Sequence, residues 1–125
     1  MKILVCEDDK ITLRALEYTL KREGYEVVAV ADGKAGAELI RDLSSGIDLM
    51  ITDQHMPYFS GLELVNLVRS ELKLGFPIIM LTRVNQDETR NLAMSLGVNE
   101  YMTKPFMPTQ LLVKIQEILM NSTSV

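Results

Sequence analysis

The chain has 125 residues, of which 47% are hydrophobic and 24% are charged, and its formal net charge is −4. This length accommodates one domain with a single core, and the acidic balance argues against a nucleic-acid surface, which concentrates basic residues on one face. No apolar run approaches the ~20 residues that a membrane-spanning helix needs, and the first residues lack the cleavage site of a signal peptide.

Strand-like and helix-like patterns alternate five times along the chain. The predicted strands are Lys2 to Cys6, Tyr25 to Val30, Asp48 to Thr52, Pro77 to Leu81, and Tyr101 to Thr103. A helix follows each strand, and the fifth helix carries Pro108 in its first turn. Strands that alternate with helices pair in parallel, with helices on both faces of the sheet, so the predicted fold class is α/β.

Capping residues indicate where the helices begin and end. Asp9 suits the N-cap of the first helix, and Gly24 suits its C-terminal end. Asn85 with Glu88 three residues later is typical of a capping box that opens the fourth helix, which Gly97 would end.

Apolar residues at spacings of three and four predict one buried face on each helix. These residues are Leu13, Leu16 and Leu20; Gly36, Leu39, Ile40 and Leu43; Leu64, Val65, Val68 and Leu72; Leu92, Ala93 and Leu96; and Leu112, Ile115 and Leu119. The single cysteine, Cys6, lies in an apolar strand, so we expect a small core residue; a lone cysteine also fits a cytoplasmic location. We assign residues 1–121 to one domain and residues 122–125 to a polar tail or the stub of a linker.

Reactive polar residues follow four of the predicted strands. After the first, third, fourth and fifth strands they are Glu7-Asp8-Asp9, Asp53, Thr82 and Lys104. Ligands of open parallel sheets bind outside the carboxyl ends of the strands, so we expect these side chains to meet at one crevice.

The acidic residues of this crevice predict a cation site. The carboxylates of Glu7, Asp8 and Asp53 would repel one another by roughly 1 to 4 kcal/mol at a separation of a few ångströms. Such a cluster persists by protonating one member or by binding a cation, and Mg²⁺ takes one or two carboxylates together with a phosphate oxygen. Asp9 is better explained as the helix cap, and a solvated loop is the alternative for Glu7 and Asp8.

Asp53 is the candidate nucleophile, because a carboxylate can form an acyl phosphate intermediate. Phosphoryl transfer needs in-line geometry, a metal and positive groups near the developing charge. Lys104 would supply a charge, and the Thr82 hydroxyl would donate a hydrogen bond to a phosphoryl oxygen. Taken singly, Lys104 is equally well a surface lysine and Thr82 a strand-end threonine.

These residues, in this order, resemble the receiver domain of two-component response regulators. The matching segments are Ile3–Asp9, Asp48–Pro57 with Gly61 after it, Leu81–Thr82 and Tyr101–Phe106. The resemblance covers the chain from Lys2 to about Met120. It implies a doubly wound, flavodoxin-like (βα)₅ fold with a five-stranded parallel sheet in the order 2-1-3-4-5.

The resemblance also implies a role for each residue of the crevice. Asp53 would accept a phosphoryl group from a sensor histidine kinase or a histidine phosphotransfer protein. Asp8 and Asp53 would bind Mg²⁺, with Mn²⁺ as the alternative ion, through their side chains, His55 through its backbone carbonyl, and Glu7 through a water. Lys104 would contact the phosphoryl group, and the peptide bond that follows it would be cis.

Thr82 and Tyr101 match the switch pair of the family. Phosphorylation would draw the threonine hydroxyl inward, the aromatic ring would follow, and the surface of the fourth helix, fifth strand and fifth helix would change. Simple core packing is the alternative role for Tyr101. The expected protein is a signalling switch that catalyses its own phosphorylation and dephosphorylation, not a conventional enzyme. Its downstream target is unknown, and the resemblance leaves open a homodimer formed on phosphorylation.

The sequence departs from the family pattern beside the crevice. Arg83 follows the switch threonine where a small residue is usual, so its guanidinium would neutralise the phosphoryl group, pair with an acidic neighbour, restrict access to the crevice or extend into solvent. His55 and Val84 occupy the positions to which the family ties the phosphoryl lifetime. We expect His55 to affect the hydrolysis rate and its pH dependence, because the usual pKa of histidine is near 6.5.

Other classes of protein fit less well. A flavodoxin would place Ser, Thr and Gly in the first loop, and the acidic loop here would repel a flavin phosphate. A phosphatase of the aspartyl-phosphate kind would carry its nucleophile on the first strand, whereas Asp53 follows the third predicted strand. A P-loop nucleotidase would carry a Gly-x-x-x-x-Gly-Lys-Ser/Thr pattern, and the sequence has none. A receiver that binds partners without being phosphorylated is the remaining rival, and Arg83 is the residue that favours it.

Overall fold

The computed structural model describes residues 1–123, with the side chains of residues 1–120, and contains one five-stranded parallel sheet. Its strands are β1 (Lys2–Cys6), β2 (Glu26–Val30), β3 (Leu49–Thr52), β4 (Ile78–Thr82) and β5 (Glu100–Thr103). Neighbouring strands pair in the order β2-β1-β3-β4-β5. The predicted doubly wound, flavodoxin-like fold and its strand order are therefore confirmed.

Five helices connect or follow the strands. They are α1 (Lys10–Arg22), α2 (Gly33–Arg41), α3 (Gly61–Asn66), α4 (Asp87–Leu96) and α5 (Pro108–Thr123). A 3₁₀ turn, Leu43–Ser45, follows α2, and a π-helical segment, Leu67–Glu71, continues α3. No helix among the described residues is long and apolar enough to cross a membrane.

The two faces of the sheet carry separate hydrophobic cores. Side chains of β1 alternate between them: Leu4 and Cys6 pack with α2, α3 and α4, whereas Ile3 and Val5 pack with α1 and α5. This alternation follows from the two-residue period of a strand. Because both faces are covered, the central strands are almost continuously apolar, and every residue of β4 is buried.

Several helix predictions are confirmed. Asp9 is the N-cap of α1, where its side chain accepts a hydrogen bond from the backbone N–H of Thr12. Gly24, with φ +92°, follows the end of α1, and Gly97, with φ +113°, caps α4. Pro108 is the first residue of α5.

The predicted start of α4 is wrong. The helix begins at Asp87, its N-cap is Gln86, and no side-chain capping bond forms there, so Asn85 and Glu88 make no capping box. Arg90 N–H donates to the Gln86 carbonyl, which places the first turn one residue later than expected. Acidic residues at the first two helical positions stabilise this start through the helix dipole.

Two predicted core residues are exposed, and one buried core residue, Leu111, was not predicted. Leu43 is 72% exposed because α2 ends at Arg41 and the 3₁₀ turn directs this side chain outward, and Leu92 of α4 is 48% exposed. In α5 the fully buried residues are Leu111 and Ile115, whereas Leu112 and Leu119 pack at the margin of the core.

The predicted domain boundary at residue 121 stays a prediction. Helix α5 extends to Thr123, so residues 122 and 123 belong to its last turn. Residues 124–125 of the predicted tail lie outside the described residues.

Candidate functional site

Three side chains form the floor of a cleft at the carboxyl ends of the strands. Lys104 Nζ lies 3.1 Å from a carboxylate oxygen of Asp53 and makes a very short contact with Glu7. The three side chains are only 10%, 12% and 3% exposed, respectively. One ammonium group therefore bridges two largely desolvated carboxylates, an arrangement that needs mutual pairing to persist.

Backbone hydrogen bonds between adjacent strand ends position these side chains. Asp53 N–H donates to the Cys6 carbonyl at 3.0 Å, which extends the pairing of β1 and β3 into the cleft. Lys104 N–H donates to the Thr82 carbonyl at 2.8 Å and does the same for β4 and β5. The peptide bond between Lys104 and Pro105 is cis, as the resemblance implied.

Charge and burial act in opposite directions on the pKa values of the floor. Burial alone would raise the pKa of Asp53, but hydrogen bonds from Thr82 and Lys104 and the charge of Lys104 outweigh it, so the pKa is lowered. The pKa of Glu7 is raised, because burial and the charge of Asp53 outweigh the lysine contact. Burial would lower the pKa of Lys104, but both carboxylates raise it. Asp53 and Lys104 are therefore ionised at neutral pH.

A third carboxylate, Asp8, lies at the exposed side of the cleft. Ligand oxygens of Glu7, Asp8 and Asp53 all lie within 4.8 Å of one another, so the predicted acidic cluster is present. Asp9 also lines the cleft, as does His55, which is exposed. The cleft has a volume of about 320 Å³.

The predicted switch residues lie next to the cleft. Thr82 is buried, and its hydroxyl oxygen accepts a long hydrogen bond, 3.3 Å, from Val84 N–H. Tyr101 is 7% exposed, and its hydroxyl donates to the Val84 carbonyl at 2.7 Å. Tyr101 also packs in the core of the α2, α3 and α4 face. In this structure its ring therefore occupies an inward position.

Arg83 is exposed and lines the rim of the cleft. It also lines an adjoining cleft of about 500 Å³, together with Thr12, Lys104, Pro105 and Phe106. No hydrogen bond or ion pair within 4 Å fixes its guanidinium to another residue of the described chain.

Two residues around the site were not predicted from sequence. Gln54 pins the loop after β3, because its backbone and side-chain oxygens accept hydrogen bonds from the N–H groups of Gly61 and Leu62. Arg90 of α4 lies over the Tyr101 ring, 5.2 Å from its centroid. No local sequence pattern indicates this contact, because it joins α4 to β5 through packing.

Comparison with known proteins assigns the chain to a family. Residues 3–116 match the model of the response regulator receiver domain. The chain belongs to this family. Solved receiver domains share the whole fold: the CheY-like receiver domain protein of Methanospirillum hungatei has a TM-score of 0.89 and 31% identity, with 96% of this chain and 94% of that chain covered.

Two relatives of this receiver domain differ in length. It is 38% identical to chemotaxis protein CheY1 of Helicobacter pylori over 120 residues, which cover 95% of the chain and 97% of that protein. It is 36% identical to the alkaline phosphatase synthesis transcriptional regulatory protein PhoP of Bacillus subtilis over 97% of the chain. The chain spans about half the length of PhoP.

Proposed function

We propose that this receiver domain is a phosphoacceptor switch in which Asp53 takes a phosphoryl group from a phosphohistidine. The donor would be a sensor histidine kinase or a histidine phosphotransfer protein. The observation that carries the proposal is the contact between Lys104 and Asp53, 3.1 Å apart in a cleft that also gathers Glu7 and Asp8. A lowered pKa keeps the Asp53 carboxylate ionised, as a nucleophile requires.

Mg²⁺ fits this site, because three carboxylates offer oxygen atoms within 4.8 Å of one another and Asp8 keeps one side open to solvent. Asp8 and Asp53 would hold the ion through their side chains. Glu7 would hold it through a water, and His55 through its backbone carbonyl. Mn²⁺ is the alternative ion, because it also prefers oxygen ligands. When bound, the ion would neutralise charge on the transferring phosphoryl group.

Lys104 and Thr82 would stabilise the phosphoryl group on Asp53. Lys104 already contacts the Asp53 carboxylate, so its ammonium group would need only a small movement to reach a phosphoryl oxygen. The Thr82 hydroxyl, whose oxygen accepts a 3.3 Å hydrogen bond from Val84 N–H, would donate its own proton to a phosphoryl oxygen. Movement of Thr82 would displace the Val84 carbonyl, which is the acceptor of the Tyr101 hydroxyl. The Tyr101 ring would then move and change the surface of α4, β5 and α5. Phosphoryl lifetime would depend on His55 and Val84 beside the cleft.

Intact mass measurement with acetyl phosphate and Mg²⁺ tests the proposal. We expect one phosphoryl adduct that hydroxylamine removes, that a chelator prevents, and that Asp53→Asn does not form. The same variant should not accept phosphate from a histidine kinase. If wild-type protein binds Mg²⁺ but gains no adduct, the receiver acts without phosphorylation, as a binding module for a downstream target or a second copy.

A further inference from the structure

Arg83 lies where the cleft over Asp53 meets the adjoining cleft, because Arg83 and Lys104 line both. Lys104 is engaged by Glu7 and Asp53 on the floor. Arg83 is exposed and carries no hydrogen bond or ion pair within the described chain. Arg83 is therefore the cation of this cleft whose donors are available to an incoming molecule.

Arg83 lies at the solvent-exposed mouth of the cleft. Arg83 and Asp9 both line the cleft over Asp53, and both are exposed. Thr12 donates two hydrogen bonds to one oxygen of the Asp9 carboxylate, and no ion pair within the described chain joins Asp9 to Arg83. The five N–H donors of Arg83 form a planar fork that suits a carboxylate or phosphate.

The direction of phosphoryl transfer brings the leaving group to Arg83. Attack by Asp53 from the floor requires the leaving group to depart on the opposite side of phosphorus, toward the mouth. An acyl phosphate departs as a carboxylate, so negative charge develops there in the transition state. A phosphorylated nitrogen compound departs as a neutral amine and offers no such charge.

We propose that Arg83 is a specificity-determining residue that favours acyl phosphates as phosphodonors by binding the departing carboxylate. This inference rests on the proposed function of Asp53. With acetyl phosphate, an oxygen of Asp53 bonds to phosphorus, the bond from phosphorus to the acetyl oxygen breaks, and acetate leaves with the electron pair. No proton moves. With N-protonated phosphoramidate, the phosphorus–nitrogen bond breaks and ammonia leaves.

The test compares acetyl phosphate and phosphoramidate as donors for wild type, Arg83→Ala and Arg83→Lys, using intact mass to follow the adduct. High ionic strength is used throughout, because it screens attraction of the donor from a distance. A charge-assisted hydrogen bond made only in the transition state corresponds to about a tenfold rate effect. We expect Arg83→Ala to slow phosphorylation by acetyl phosphate about tenfold and by phosphoramidate less than about twofold.

Arg83→Lys keeps the charge but not the fork, so its acetyl phosphate rate should lie between those of wild type and Arg83→Ala. Equal losses with both donors, or faster reaction of Arg83→Ala with acetyl phosphate, would overturn the inference and leave the proposed function intact. The absence of any adduct on wild-type protein with either donor would overturn the proposed function, and the inference with it. Circular dichroism of each variant shows whether it is folded.

Discussion

The guanidinium of Arg90 lies over the ring of Tyr101, 5.2 Å from its centroid, while the hydroxyl of the same tyrosine donates to the Val84 carbonyl at 2.7 Å. Two contacts thus hold the proposed switch tyrosine inward. The guanidinium lies over the face of the ring, and the hydroxyl is hydrogen-bonded to the backbone. A cation over an aromatic face at an exposed site contributes about 0.5 to 1 kcal/mol. This is enough to alter a balance between two ring positions several-fold.

Arg90→Ala should therefore weaken the inward position of Tyr101 in the unphosphorylated protein. NMR of protein labelled on its tyrosine rings would report the change as a shifted Tyr101 resonance, by about a two- to fivefold change in population. Arg90→Lys is the matched control, because it retains a cation and should shift the resonance less. An unchanged Tyr101 resonance in Arg90→Ala would show that the hydroxyl bond and core packing alone hold the ring.

Repulsion among the carboxylates of the cleft predicts that Asp8→Asn stabilises the protein when no divalent cation is present. Removing one of three clustered charges should raise the free energy of unfolding by about 1 kcal/mol, as the midpoint of urea unfolding would show. Mg²⁺ at 100 times its Kd should stabilise wild type by about 2.7 kcal/mol, and Asp8→Asn by much less.

Asp9→Asn is the control for this prediction. Asn caps a helix about as well as Asp, so the cap on α1 persists while a neighbouring charge is removed. This variant should keep the Mg²⁺ response of wild type. Equal stabilisation of wild type and Asp8→Asn by Mg²⁺ would mean that Asp8 does not bind the ion.

The sequence predicted the fold and the residues of the cleft, because both depend on short segments and strand ends. Each floor residue directly follows a strand: the neighbouring strands β1 and β3 bring Glu7 and Asp53 together, and the long side chain of Lys104 reaches them from the end of β5. Boundaries inside loops were harder to predict. Asn85 and Glu88 have capping chemistry, but the backbone bond from Arg90 to Gln86 starts α4 later.

Features that depend on packing between distant segments could not be predicted from the sequence either. Neither the contact of Arg90 with Tyr101 nor the second cleft beside Arg83 follows from a local pattern. Leu43 fits a helical period, yet it is exposed because α2 ends two residues before it.

The buried thiol of Cys6 should resist modification in the folded protein. Cys6 is 1% exposed, and burial, with a smaller effect from the charge of Asp32, raises its pKa from 9.0 to about 12. An aromatic disulfide reagent at pH 8 should label native protein only as fast as it unfolds, and should label protein in denaturant at once. Rapid labelling without denaturant would contradict this.

The same pKa shift has a defined effect on stability. A pKa raised on folding means that the neutral thiol is favoured in the folded state, so this contribution is fully present below pH 9 and is lost as the pH rises toward 12. Cys6→Ser should not show this loss of stability between pH 9 and pH 12, because a hydroxyl does not ionise in that range. Unfolding midpoints of the two proteins measured between pH 8 and pH 11 would separate this contribution from those of other groups.

Gly61 permits the loop after β3 to pass close to the backbone of Asp53. A Cβ atom at position 61 would lie 2.2 Å from the Asp53 carbonyl oxygen, so Gly61→Ala forces the backbone of the proposed phosphoacceptor to move. We expect a loss of about 2 kcal/mol or more in the free energy of unfolding, together with slower phosphorylation of Asp53. Gly75→Ala is the matched control, because a Cβ there has no heavy atom within 4 Å. It should leave phosphorylation unchanged, since only a displaced backbone at Asp53 disturbs the alignment of the nucleophile.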